Sequence, residues 1–332
     1  MAVEQAEAPL PFRRILVTGA DGFVGRHLVP LLATRLPVGA RIIGASRTAS
    51  AAPGKIALDL TDPVGVACAV AAVEPDLVVH LAAQASIDQS LEEAANTWSI
   101  NLGGSLALAR ALAMTVPDCT VLLASSAEVY GLAFNEGSVT ESSVLQPYGP
   151  YARSKAAAEN MFADVLPKSA RLIIARPTNH SGPGQDERFV IPAFAAQIAR
   201  IERGDKPVLS VGNLDAERDF LHIRDVVAAY LALLMAAPTL PHRDLFNIAS
   251  GQSIQIADIL TRLRAMSRIP TSVVQDPQRM RPSEVPRARI NSDSLRRVTG
   301  WAPTHGLNTM LADVMADQRA RLGRSQIDGP NY

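Results

Sequence analysis

The strand Arg14-Ile15-Leu16-Val17 runs directly into Thr18-Gly19-Ala20-Asp21-Gly22-Phe23-Val24-Gly25, after which the chain turns helical. This G-x-x-G-x-x-G passage constrains the fold more than any other part of the chain. Glycine at 19 and 22 permits a tight turn and lets backbone come close to a ligand, while Gly25 lets the helix pack closely on the strand. A helix N-terminus adds N–H donors and the positive end of a dipole. Together they form a cradle for the pyrophosphate of a dinucleotide, lined by Asp21, Phe23 and Val24.

The same rhythm continues. A helix is expected over His27 to Leu36, with strands at Arg41–Gly44, Asp76–His80, Thr120–Leu123 and Arg171–Ala175. Ala94 to Thr115 reads as helical, with Gly103 and Gly104 as close-packing points. Repeated βα units imply an α/β fold, here a Rossmann-type doubly wound parallel sheet. After Arg176 the texture breaks at Pro177, Gly182, Pro183 and Gly184, which marks a smaller, interleaved C-terminal substrate-binding lobe. The dinucleotide-binding domain is expected over 12–176, also receiving roughly 220–245 through a helix from Ile223 to Ala236. The substrate-binding lobe is expected over 177–219 and 246–310, and 1–11 and 323–332 read as flexible tails.

Charge narrows the partners. Lys plus Arg and Asp plus Glu each total 32, so the chain is neutral and lacks the field of a nucleic-acid binder. The longest apolar run, Ala228 to Ala237, falls short of the ~18 residues of a membrane span. The N-terminus has no signal-peptide pattern, and Cys68 and Cys119 are too few for a disulfide framework or a zinc site. The expectation is an enzyme of the reducing cytoplasm without a metal, a membrane or a nucleic acid.

The second strand should end in an acid if the cofactor is NAD, to bind the ribose 2′-hydroxyl. It ends Gly44-Ala45-Ser46-Arg47 instead, and Arg47 with Ser46 suits a 2′-phosphate. NADP(H) is favoured, with NAD(H) as the alternative.

The Thr120 strand leads into Ser125-Ser126-Ala127-Glu128-Val129-Tyr130, and later comes Tyr148-Gly149-Pro150-Tyr151-Ala152-Arg153-Ser154-Lys155. Pro150 suits a first helical turn, which makes Tyr151 and Lys155 i,i+4 neighbours. A ketone reduced by hydride needs a proton at its oxygen. A tyrosine hydroxyl supplies one when an adjacent ammonium brings its pKa down from ~10. Only four of the 32 basic residues are lysines, so a lysine at 155 is a marked choice.

With its glycine loop, His80-Leu81-Ala82-Ala83-Gln84, Ser125-Ser126 and the Tyr151/Lys155 pair, the chain resembles the extended short-chain dehydrogenase/reductase superfamily, in its nucleotide-sugar epimerase/dehydratase/reductase branch. The resemblance covers roughly Arg14 to Trp301. It implies that Ser126 holds the substrate carbonyl, Tyr151 is the proton donor or base, and Lys155 lowers its pKa and holds the nicotinamide ribose. It also places Asp59, Leu60, Leu81, Ala82, Ala83 and Arg176 against the cofactor, with Gln84 against the substrate. Relatives pair through the Tyr/Lys helix and the one like Ala94 to Thr115, which implies a homodimer, a tetramer being the alternative.

Three stretches resemble enzymes acting on GDP-hexoses, the GDP-mannose 4,6-dehydratases and GDP-4-keto-6-deoxy-D-mannose reductases. They are Ala175 to Gln185, Val211 to Phe220 and Asp276 to Val285. Arginine forks match a diphosphate, so Arg218, Arg279 and Arg281 are the candidates. Glu284 accepts from ribose hydroxyls, and Asn179 and Val190 meet the sugar nucleotide. His180 is expected to position a loop, while His222 and Asp225 anchor the following helix. Glu128, two residues after Ser126, stands where dehydratases carry their base, so a 4,6-dehydratase or an epimerase remains an alternative. The loop Ala20-Asp21-Gly22-Phe23, serine at 126 and Phe189-Val190-Ile191-Pro192 favour a reductase. Its product would be GDP-6-deoxy-D-mannose (GDP-D-rhamnose) or the talose epimer. A non-catalytic nucleotide sensor is the remote third reading, and the retained Ser126, Tyr151 and Lys155 speak against it.

Overall fold

A computed structural model describes residues 8–48, 52–280 and 285–324. The strands, in chain order, are β1 (Arg14–Thr18), β2 (Arg41–Ser46), β3 (Lys55–Ala57), β4 (Leu77–His80), β5 (Thr120–Ala124), β6 (Arg171–Pro177), β7 (Asn179–Ser181), β8 (Val208–Val211), β9 (Glu217–His222), β10 (Arg243–Ile248), β11 (Ser253–Gln255) and β12 (Ser272–Gln275). Seven of them form one parallel sheet in the order β10-β6-β5-β4-β1-β2-β3. The inner strands β4 and β5 carry unbroken apolar runs, Leu77 to Val79 and Val121 to Ala124, because both faces are covered.

Alternate residues serve opposite cores. Ile15, Val17, Leu77, Val79 and Leu122 pack under α1 (Phe23–Ala33) and, from much later in the chain, Val226, Tyr230 and Leu233. Leu16, Val78, Val121 and Leu123 face α2 (Pro63–Val73) and its neighbours on the other side. After β4 come α3 (Ile87–Glu92) and α4 (Ala94–Trp98), then a π-helical segment, Ser99–Gly104, leading into α5 (Ser105–Thr115). α6 (Gly149–Val165) completes that layer. Its C-terminal end is held by Arg243 on β10, which donates to the carbonyls of Leu166 and Pro167 at 2.9 Å and of Ala170 at 2.5 Å. Carbonyls left over at a helix end are thereby satisfied.

The rest of the chain builds a second core from α7 (Val190–Ile201), α9 (Ile256–Ala265) and α11 (Leu307–Arg324), through Ile191, Phe194, Ile259, Leu263, Leu311 and Val314. Beside it lie a three-stranded sheet, β11-β9-β7, and the parallel pair β12-β8. α8 (Ile223–Ala236) follows β9 and returns to the main sheet, as does α10 (Asp293–Thr299) through Leu295 and Trp301. His222 caps α8 by accepting from Arg224 N at 3.0 Å. Asp225 ties its first turn to Thr304 and His305.

The structure departs from expectation in five places. α1 begins at Phe23, four residues before His27, because the glycines of the loop already lie in its cap and first turn. The boundary expected between 245 and 246 falls inside β10, whose full length pairs with β6. Leu10, expected in a tail, is buried and donates its N–H to Arg35 O at 2.8 Å. Residues 1–7 and 325–332 of the expected tails lie outside the described residues, whereas Gly323 belongs to α11. Gly104 packs against Leu60, but Gly103 is exposed with open space around it, so only one of the two is a close contact.

Candidate active site

The strand order reverses around β1, and a cleft of about 1390 Å³ opens there, beyond the carboxyl ends of the strands. Open α/β sheets bind ligands at such points. Gly19 has φ 71°, a left-handed conformation natural to glycine, and a Cβ there would lie 2.8 Å from the Ala82 amide nitrogen. Gly25 passes so close to the loop that a Cβ would meet the Ala20 carbonyl oxygen at 2.5 Å. Gly22 caps α1 without a side-chain acceptor, and Phe23, Val24 and Gly25 line the cleft. A backbone cradle that side chains would fill, at a helix start, fits a pyrophosphate. Asp59, Leu60, Leu81, Ala82 and Ala83 line the same end of the cleft.

Ser46 and Arg47 line it at the end of β2. Ser46 Oγ donates to Asp21 Oδ2 at 2.8 Å, and Lys55 Nζ donates to Asp21 Oδ1 at 2.5 Å. The Lys55 bond, followed by the Ser46 bond, holds the Asp21 carboxyl below the usual carboxylate range. The acid nearest the end of β2 is thus already matched by a cation, which keeps this corner compatible with a phosphate.

Past β5 the chain turns through Ser125 and Ser126 into a 3-10 turn, Ala127–Tyr130, that Ser126 caps by accepting from Glu128 N at 3.2 Å. Tyr151 stands in the first turn of α6, opened by Gly149 and Pro150, and faces the same cleft as Ser126. Ser126, Glu128 and Tyr151 all line the cleft. Burial, together with Glu128, pushes the Tyr151 phenol up to about 12, against the opposite pull of Ser126. Lys155 lies one turn on and is buried, with Nζ donating to Ala124 O at 2.7 Å. Burial draws its ammonium down to about 8, and Glu159 acts the other way. The Lys155 amine is engaged on a strand-end carbonyl instead of on the phenol, which burial holds above its ordinary range.

Arg176 is a correction. It is expected against the cofactor, yet it is buried away from the cleft lining, with Nε donating to Glu159 Oε1 at 2.9 Å and Nη2 to Oε2 at 2.5 Å. Its third donor reaches Tyr130 OH at 3.0 Å, and the guanidinium covers the Tyr130 ring at 4.9 Å.

On the substrate side Gln84, Asn179, Val190, Arg218 and Arg279 line the cleft. Gln84 is buried, and its Oε1 has no hydrogen-bond partner among the described residues. Such an orphaned acceptor suits a ligand hydroxyl. Arg218 donates from Nη1 to the carbonyls of Glu217 and Val285, both at 2.9 Å. Burial raises the Glu128 carboxyl, with Arg218 pulling it back. Arg279 pairs with Asp276 at 3.3 Å. Arg281 and Glu284 lie outside the described residues. His180 Nδ1 donates to Thr178 O at 2.9 Å, and its ring stacks on Phe23 with centroids 6.0 Å apart, joining β7 to the start of α1.

Two features escaped the sequence. Asn101 sits in the π-helical segment, where its Oδ1 accepts from Gln84 N at 2.8 Å and its Nδ2 donates to Ser154 Oγ at 3.0 Å. Lys55 reaches Asp21 from a strand of three residues. The only available signal for Lys55 was lysine scarcity itself, and a π segment has no hydrophobic period of its own.

Residues 16–314 match the family described as GDP-mannose 4,6 dehydratase. The chain is 35% identical over 313 residues to the GDP-6-deoxy-D-mannose reductase of Pseudomonas aeruginosa, spanning 93% of this chain and 98% of that one. It is 25% identical to the GDP-6-deoxy-D-talose 4-dehydrogenase of Aggregatibacter actinomycetemcomitans, over 86% of this chain and 91% of that one. The solved structure of RMD from Pseudomonas aeruginosa complexed with NADPH superposes with a TM-score of 0.79 at 34% identity, over 93% of this chain and 99% of that one.

Proposed function

The chain belongs to the GDP-mannose 4,6 dehydratase family, and from that premise we propose that it is an NADPH-dependent reductase of GDP-4-keto-6-deoxy-D-mannose. The product is the C4 alcohol, GDP-6-deoxy-D-mannose or its talose epimer. The observation that carries this reading is the Ser126–Tyr151 hydroxyl pair, set in the same cleft as the glycine cradle.

A reduced nicotinamide bound in the cleft supplies hydride to C4 of the sugar. Ser126 holds O4, and Tyr151 gives its phenolic proton to that oxygen as charge develops, later regaining one from solvent. A phenol raised to about 12 keeps its proton at neutral pH, which suits a donor. A dehydratase or epimerase would instead need Tyr151 as a base, and burial with Glu128 opposes the phenolate. Lys155 offsets the phenolate formed in turnover and holds the ribose. Gly19, Gly22, Gly25 and the start of α1 hold the pyrophosphate, with Ser46 and Arg47 on the 2′-phosphate. Gln84 and Asn179 take sugar hydroxyls, while Arg218, Arg279 and Arg281 take the diphosphate and Glu284 the ribose. We assign cofactor binding to 12–176 with roughly 220–248, which keeps β10 whole, and substrate binding to 177–219 and roughly 249–310. A cytoplasmic homodimer paired through α6 and the 94–115 region completes the reading. Among the described residues no helix is long and apolar enough to cross a membrane.

The test is direct. The protein, NADPH and GDP-4-keto-6-deoxy-mannose are mixed and nicotinamide absorbance is followed. Absence of stoichiometric oxidation refutes the reductase, and conversion of GDP-mannose without added reductant establishes a dehydratase.

A further inference from the structure

α6 carries a third residue on the face of Tyr151 and Lys155. Glu159 lies i,i+4 from Lys155, so the two side chains share one stripe of the helix. Both are buried, at 4% and 7% exposure, where an acid and a lysine are rarely found unless paired. The Glu159 carboxylate is pinned from two strands. Arg176 on β6 grips both oxygens, and Ser125 Oγ, just past β5, donates to Oε1. Arg176 is fixed in turn through Tyr130, whose hydroxyl donates to Asn247 Oδ1 on β10 at 2.7 Å.

We propose that Glu159 is a positioning residue, whose buried carboxylate keeps Lys155 in its ammonium form behind Tyr151. The functional part of this rests on the reductase reading; the charge part does not. Arg176 is bonded to the Glu159 carboxylate and buried Lys155 stands one helical turn from it, and a buried charge without a counter-charge gives up its proton or disrupts the fold. Burial alone draws Lys155 down, and Glu159 is the group that opposes it. The other groups facing Lys155 supply no negative charge. Tyr151 on its own helix is a protonated phenol, and β5 offers only the Ala124 carbonyl. His80 on β4 is held neutral down to about pH 3 by burial and by Lys155 itself, between Thr18 and Ser105. Glu128 lines the cleft beside Tyr151 and acts on the phenol, and Arg218 acts on Glu128 in turn.

The scarcity of lysine makes the test accessible. With only Lys55, Lys155, Lys168 and Lys206 present, ε-15N-lysine NMR of the full chain resolves each amine, and Lys155→Met identifies the signal. Lys155 should titrate near pH 8 in the native protein. Glu159→Gln should lower that midpoint by at least about one unit, and Glu159→Asp should restore most of it. The alkaline limb of kcat should move down with it. If Glu159→Gln does not fold, the pair Glu159→Gln/Arg176→Met removes both buried charges together; a drop is still expected, smaller than with Glu159→Gln alone because a like charge leaves with the carboxylate, and no drop overturns the proposal. An unchanged midpoint in the folded variant overturns the proposal. A midpoint that drops while the kcat limb stays in place overturns its functional part. Loss of activity on the proposed substrate by the native protein would instead refute the reductase reading, and the NMR titration would still decide the charge relation.

Discussion

Gly25→Ala puts a methyl group between α1 and the loop that feeds it. The new Cβ would stand 2.5 Å from the Ala20 carbonyl oxygen and 2.7 Å from the Ala20 carbonyl carbon, where ordinary contact begins near 3.4 Å. Those neighbours are backbone and cannot rotate away. Overpacking a tight site costs typically ~1–3 kcal/mol, and with backbone as the obstacle the upper end applies. At an unfolding entropy of about 2.1 cal/mol/K per residue, a ~3 kcal/mol loss lowers the Tm of a chain this size by about 4 °C. The helix must also shift outward, which displaces the N–H groups of its first turn, so NADPH affinity should fall at least about tenfold, or ~1.4 kcal/mol. Gly103→Ala is the control. Its Cβ would find no atom within 4 Å, so restricting the unfolded chain should leave stability unchanged or raise it by ~0.4–1 kcal/mol. Thermal unfolding by circular dichroism and NADPH fluorescence titration read both variants. A Gly25→Ala protein that melts with Gly103→Ala and binds NADPH normally would refute the close-approach argument.

Tyr151→Phe should lower kcat by about 10²–10⁴-fold, the usual worth of a placed acid, with NADPH affinity little changed; near-native turnover removes Tyr151 from its role. Arg47→Ala should weaken 2′,5′-ADP binding by roughly tenfold, about 1.4 kcal/mol, and 5′-AMP hardly at all, as isothermal titration would show. Equal losses for the two ligands would contradict a 2′-phosphate contact. His80 gives a pH prediction. It stays neutral to about 3 in the folded chain and protonates near 6.5 when unfolded. The unfolded state therefore takes up the proton first, and stability present above pH 6.5 falls by ~1.4 kcal/mol per unit as pH drops toward 3. Urea midpoints of native and His80→Gln protein should diverge in slope across that window, and parallel curves would exclude His80 as the cause.

The parallel sheet was legible because β1, β4 and β5 are apolar on both faces, and a β-branched run between helical stretches has few other uses. The cofactor end was legible for a related reason: turn glycines and strand ends sit close in sequence, and the residues read from them line one cleft. What stayed hidden depends on partners far apart in the chain. Arg176 looks like a ligand arginine until Glu159, on a separate helix, is seen to hold it. Lys155 looks aimed at Tyr151 because helical spacing makes them neighbours, yet spacing does not say where a long side chain ends, and the Ala124 carbonyl takes it. β10 was not read, since its first half, Arg243 and Asp244, is polar and only Phe246 to Ile248 are fully buried.

The position of β10 also governs how the chain can fold as it is made. It borders β6, the strand that bears Arg176, yet it is supplied only from residue 243 on, once the chain has passed through the first segment of its other lobe. On the ribosome, then, a nascent chain that has completed its cofactor cradle still shows the bare hydrogen-bonding edge of β6. Unpaired edges recruit other strands. Truncations ending before residue 243 should consequently aggregate, although every residue of the glycine loop and of the Ser126–Tyr151 pair is present, and those ending after Ile248 should not share that exposed edge.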